Sequence, residues 1–259
     1  MTPPYDGTPH LRGLEIAAGL FSNVRPETKF GHALSLGNTR ATIWSPIGIY
    51  AYPTVATTMT ISSGSVDDVA GSDGISTARV IGQDADNVEV SRVMTMNGRN
   101  GVTIPIDLLR SYRIECLTSD DTADDAGNKG KIYVGSGALT DGVPANIFAQ
   151  VDVGLNQTLM TPYTIPAGKK GWITHLYASL GGAKDLALEI CVREPGEVFR
   201  AKRVDHVRSS VFSLPLDLPI GGSNADGSIP EKSDIEMRGT LDAASIDVAA
   251  AYDIVLIDM

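Results

Sequence analysis

Two stretches of this chain restrict its local geometry more than any others. Residues 163–174 read Tyr163-Thr164-Ile165-Pro166-Ala167-Gly168-Lys169-Lys170-Gly171-Trp172-Ile173-Thr174, and residues 228–237 read Ser228-Ile229-Pro230-Glu231-Lys232-Ser233-Asp234-Ile235-Glu236-Met237. In each, an alternating segment stops at a proline, which lacks the amide hydrogen that a ladder needs. The chain then turns over small or polar residues and alternates again. Strand, proline-led turn, strand is the grammar of antiparallel β-structure. Neither stretch supplies a reactive group, so both weigh toward a structural or binding protein and away from an enzyme.

The same texture runs through most of the chain. Short alternating runs lie at 58–62, 78–82, 88–96, 102–104, 112–118, 131–134 and 145–151, and Asp84-Ala85-Asp86-Asn87 reads as the polar turn of a hairpin. Residues 105–110, opening on Pro105, read as a single helical turn. Beyond 154–157 come eight further runs, at 158–165, 171–179, 185–193, 198–207, 210–218, 233–240, 245–250 and 252–257. That spacing suits a jelly roll or another antiparallel sandwich. No fixed-period repeat is present, which disfavours solenoids and propellers. The expected fold is therefore all-β, an antiparallel β-sandwich or jelly roll, in two packed sandwiches: 44–154 and 155–259. One larger fold with strands interleaved from both halves is the alternative.

Residues 1–43 are expected to form an extended N-terminal arm, because Pro3, Pro4, Gly7, Pro9, Gly13, Gly19 and Pro26 punctuate them. The arm carries Leu14, Ile16, Leu20, Phe21 and Phe30, side chains that each gain roughly 1.5–3 kcal/mol on burial. They are expected to bury on the chain's own sandwich or on a neighbouring subunit. With Trp44, whose position suits core and contact equally, they form the expected docking set.

Charge and chemistry narrow the function classes. A net charge of −10 argues against a nucleic-acid partner, whose phosphates call for concentrated Lys and Arg. The N-terminus lacks the basic start and apolar run of a signal peptide. No apolar run reaches membrane-spanning length, so neither export by that route nor a membrane partner is expected. Cys116 and Cys191 lie far apart in apolar runs and read as buried, reduced thiols. The histidines, His10, His32, His175 and His206, show no metal-ligand spacing, and His175 reads as a satisfied, partly buried imidazole. Gly135-Ser136-Gly137 lacks the helix of a nucleophile elbow, and Gly181-Gly182 and Gly221-Gly222 read as loop tips. Asp185, Glu189 and Glu194 do not single out a glycosidase pair. The acidic stretches 66–74 and 119–128 have oxygen density for calcium but not its loop spacing, and read as solvated loops. No catalytic residue, cofactor or metal is expected.

Some of these pieces, taken in order, resemble a known family. Val24-Arg25-Pro26-Glu27-Thr28-Lys29-Phe30-Gly31, Ile43-Trp44, Gln157-Thr158-Leu159-Met160 leading into Tyr163-Thr164-Ile165-Pro166-Ala167-Gly168-Lys169, Ile229-Pro230-Glu231-Lys232-Ser233-Asp234-Ile235 and Tyr252-Asp253-Ile254-Val255-Leu256-Ile257-Asp258 are similar to tailed-bacteriophage virion proteins common among phages of aquatic bacteria. The similarity runs from about residue 14 to the end, and its specificity lies in the order of the motifs. The family's usual Lys-Phe-Gly-Arg-Asn is here Lys29-Phe30-Gly31-His32-Ala33. The resemblance implies a non-enzymatic particle component made in the host cytoplasm. Its expected role is a capsid decoration or cement protein that binds the major capsid protein or other virion proteins, as a homo-oligomer and in particular a trimer. The alternatives are a neck, tail or fibre-base protein and, from another class, a carbohydrate-binding host-attachment module.

Overall fold

The computed structural model describes residues 15, 16, 18–120, 127–208, 211–242 and 245–259, including all of their side chains but those of Asp217 and Leu218. Leu14, one of the expected docking residues, lies outside the described residues. What is described is all-β and antiparallel: β1 (Val24–Leu36), β2 (Ala41–Thr42), β3 (Thr57–Ser63), β4 (Ile75–Gln83), β5 (Glu89–Thr95), β6 (Val102–Leu108), β7 (Arg110–Ser119), β8 (Ile132–Thr140), β9 (Val143–Val151), β10 (Tyr163–Thr164), β11 (Lys169–Leu180), β12 (Asp185–Arg193), β13 (Arg200–Arg208), β14 (Val211–Ile220), β15 (Asp234–Leu241) and β16 (Ile246–Asp258).

The strands pair into four sheets, in two groups. β6-β3-β8-β9 and β5-β4-β7 use only the middle of the chain, whereas β1-β16-β11-β14 and β10-β15-β12-β13, the latter joined by β2, use both ends. The expected arm is corrected here. Residues 24–36 form the edge strand β1, in register with β16 from Val24 opposite Ile257 to Ala33 opposite Val248. Nor do residues 155–259 close their own sheets, because β1 and β2 complete them. The helical turn expected at 105–110 is also absent. β6 is an edge strand, and exposed Pro105 sits in its register shift between Thr103 and Asp107, where a missing amide hydrogen does no harm.

The two groups are joined at an interrupted strand. β2 pairs Ala41 and Thr42 with Gly239 and Arg238, and β10 pairs Tyr163 and Thr164 with Ile235 and Asp234. The two short pieces thus follow one another along the same edge of β15, in the same direction. Ile43 extends the first by donating to the Met237 carbonyl at 2.9 Å. Thr161 fills the gap, its hydroxyl taking the Met237 amide at 3.1 Å. The chain leaves at Trp44, builds β3 to β9 as a module, and returns at Met160, which bridges to Trp44.

Where the inserted module meets the sheets that flank it, charged and polar side chains cross the contact. Arg110 of β7 reaches Asp234 at 3.0 Å and the Thr164 hydroxyl at 2.9 Å, and Arg193 holds the second Asp234 oxygen at 2.5 Å. Arg25 of β1 grips Glu89 of β5 with both terminal nitrogens, at 3.1 and 2.7 Å. Gln83 donates to the Thr164 carbonyl at 2.7 Å. Above this joint Trp44, Tyr50, Tyr52 and Phe199 pack ring to ring, with centroids 4.9, 4.6 and 5.3 Å apart.

Candidate docking surface

The site is built by the outer face of the sheet β1-β16-β11-β14. Successive strand residues point to opposite faces, and the inner set, including Ala33, Leu176, Ala178, Val248, Ala250, Tyr252 and Ile254, is buried in the core. On β11 the alternation breaks. Ile173 pairs with Ile254 and His175 with Asp253, so Thr174 is an extra residue, a bulge that lets Ile173 and Leu176 both point inward. Trp172, His175 and Tyr177 consequently share the outer face.

Register aligns that face in rows. Phe30, Ala251, Tyr177 and Ser213 lie opposite one another across four strands, and His32, Ala249, Ser179 and Val211 form the next row. Ala251, Ala249 and Ser179 are small, whereas Phe30, His32, Tyr177 and Val211 around them are large, so the face is hollowed. A cavity of about 450 Å³ opens there, lined by Phe30, His32, Leu159, Tyr177, Val211 and Ala251 among others. Val211, at its rim, is 74% exposed.

Polar groups fix the walls and leave the floor apolar. Asp253 accepts from the Tyr177 hydroxyl at 2.9 Å and from the Thr28 hydroxyl at 2.7 Å. Burial and that carboxylate both push the Tyr177 phenol above its ordinary pKa, so it stays a neutral donor. His175 stacks on Tyr177, centroids 4.1 Å apart, and its Nε2 shares a 3.0 Å hydrogen bond with the Ser213 hydroxyl. The Arg113 guanidinium lies 5.4 Å from the Phe30 ring centroid. What this arrangement can do is receive an apolar surface. The Tyr177, Thr28 and Ser213 hydroxyls and the His175 ring on it are already paired within the chain.

Of the expected docking residues, Phe30 lines the hollow. Ile16 and Phe21 are half-buried near the start of β1, and Leu20 beside them is 70% exposed. Trp44 is 6% exposed, its indole donating to the Gly48 carbonyl at 3.1 Å, which fits the core reading. Among the described members of the set, Phe30 is the one that lines the hollow. Sequence reasoning missed Tyr177, Ala249, Ala251 and Ser213. Strict alternation from Ile173 turns Tyr177 inward, and Ala and Ser carry no signal unless their cross-strand neighbours are known.

Elsewhere the candidate groups are tied up locally. Asp185 pairs with Arg208, Glu189 with Arg40, and Glu194 with Lys202 and the Ser223 hydroxyl. Asp68, in an acidic stretch expected to be solvated, is fully buried. It accepts from the Ser63 hydroxyl and from the amides of Ile75, Lys129 and Gly130, at 2.5 to 3.0 Å, so it ties two loops together. Most of the other acidic stretch, 121–126, lies outside the described residues. Among the described residues no three metal-ligating side chains gather. Burial pushes the thiols of Cys116 and Cys191 up to about 12, which leaves them as poor nucleophiles at neutral pH. A polar cleft of about 300 Å³ beside the joint is lined by Arg110, Arg193, Glu194, Lys232 and Asp234, and Asp234 occupies both guanidiniums.

No protein-family model matches the chain, and no curated protein matches it. Among solved structures it is similar to infectious bursal disease virus, Gt strain, at 10% identity and a TM-score of 0.25, covering 97% of this chain and 78% of that one. It is also similar to T=1 particles derived from the same virus, at 11% identity and a TM-score of 0.22, covering 91% and 74%. A TM-score of this size fixes neither fold nor role.

Proposed function

We propose that this chain is a non-enzymatic structural protein of a virus particle, a jelly roll with a second β-module inserted into one of its strands. With β2 and β10 counted together as the second strand, β1, that strand and β11 to β16 number one to eight, and the two sheets run 1-8-3-6 and 2-7-4-5. This is the order of two interlocked Greek keys. Jelly rolls serve viral capsids and lectins alike, so the fold leaves the role open.

The observation that carries the reading is the apolar hollow on the outer face of a sheet whose inner face already closes the core. Apolar area of this kind gains by being covered, and a jelly roll offers it on a rigid, flat support suited to many identical contacts. The ordered motifs resembling phage virion proteins point the same way. On this reading the protein is a capsid decoration or cement protein, a trimer, that covers the hollow against neighbouring capsid subunits. Its many weak contacts together raise the free energy needed to open the shell.

Quantitative mass spectrometry of purified particles, with the major capsid protein as internal standard, tests this. Hundreds of copies per particle are expected. A few to some tens would move the protein to the neck, tail or fibre base. Absence from the particle, together with binding of an immobilised polysaccharide, would replace the reading with the carbohydrate-binding one.

A further inference from the structure

The joint between the module and the jelly roll contains a group that none of the above uses. Lys29 of β1 is 2% exposed, and its ammonium donates to one carbonyl, that of Tyr112 in β7, at 3.1 Å. The rings of Tyr112 and Tyr163 cover it, with centroids 4.9 and 5.6 Å from Nζ. An ammonium has three donors and is strongly hydrated in water, so a single carbonyl and two ring faces compensate it poorly.

We infer that Lys29 makes the joint proton-responsive, so that taking up a proton at this side chain loosens the inserted module from the jelly roll. The charged and titratable groups around it are Arg25 and Glu27 on β1, Glu89 on β5, Tyr112 and Arg113 on β7, Tyr163 on β10, and Tyr252 opposite it on β16. Burial, and secondarily Arg113, lower the Lys29 pKa to about 7, while Glu27 and Glu89 work the other way. Once the joint opens, the lysine regains its ordinary value near 10.5. Between these two values the open form binds the extra proton. Closure therefore strengthens as pH rises from 7, and below 7, with both forms protonated, this side chain contributes no further change. Tyr112 and Tyr163 are pushed upward by burial, so they oppose closure only as pH rises past about 10, near the ordinary tyrosine value.

Hydrogen exchange on the full chain between pH 6 and 9.5, corrected for intrinsic exchange rates, tests the inference. Protection of β1 and β7 amides is expected to rise above pH 7 by up to about tenfold per pH unit. Central β12 amides, away from the joint, should not follow. In Lys29→Met the slope should vanish. Direct titration of the wild-type lysine by nitrogen NMR should give a midpoint near 7, and decides the matter if the variant does not fold. A midpoint near 10.5, or a slope that survives in Lys29→Met, would overturn the inference.

Discussion

The joint and the hollow are both contact regions, made of opposite materials. At the joint Asp234, nearly buried, accepts two guanidiniums from different strands and the Thr164 hydroxyl, and each bond demands its own geometry. In the hollow the floor includes Ala249 and Ala251, which demand none. Buried ion pairs add little net stability but penalise wrong alignments heavily, because any slip leaves a charge stranded. Apolar surface tolerates small adjustments and rewards area alone. The chain thus spends directional chemistry on a contact formed once, inside itself. The adaptable surface is the one left open.

This contrast can be broken at the joint first. Asp234→Ala should cost about 3–5 kcal/mol, since two guanidiniums lose their buried partner; the urea midpoint reads it. An unchanged midpoint would mean that the joint is not held by charge. Gly31→Ala should come next, at about 1–3 kcal/mol, because the added carbon would stand 2.2 Å from the Ile43 carbonyl oxygen, on the seam where the module departs. Glu89→Gln should cost only about 1 kcal/mol, the Arg25 pair being partly solvated. Burial opposes the Glu89 charge, yet Arg25 outweighs it and holds the carboxyl below its ordinary pKa. The contribution of Glu89 is therefore present above the ordinary carboxylate range and lost as pH falls through its lower folded value. Wild type and Glu89→Gln should converge in acid-denaturation curves. The smallest effect on folding, within about 0.5 kcal/mol, is expected for Ala251→Glu on the open face. The same change should abolish co-sedimentation with particles, and retained binding would remove the hollow from the docking surface.

Much of the fold was legible because inward-facing residues of the later strands are apolar. Leu186, Leu188 and Ile190 on β12 and Val248, Ala250 and Tyr252 on β16 alternate with solvent-facing neighbours. The sequence of β1 reads as an arm because its pattern is inverted. Through its middle the buried side is Lys29, Gly31 and Ala33, while Phe30 faces outward, and a large buried apolar residue comes only at its end, Leu36. The hollow was hidden for a related reason. Thr174 shifts the phase of β11 by one residue, so strict alternation assigns Tyr177 to the wrong face. The interrupted strand could not be read either, since β2 and β10 are two residues each and acquire meaning only on the edge of β15.

That interruption makes the fold a socket. The outgoing and returning chains pair at Trp44 and Met160, so whatever lies between them needs only ends about 5 Å apart, the spacing of any antiparallel pair. The host strand, finished by β10 and plugged by Thr161, asks nothing else of its insert except the few side chains of the joint. A segment of unrelated origin could be grafted at this point, provided that its two ends meet at the spacing of Trp44 and Met160.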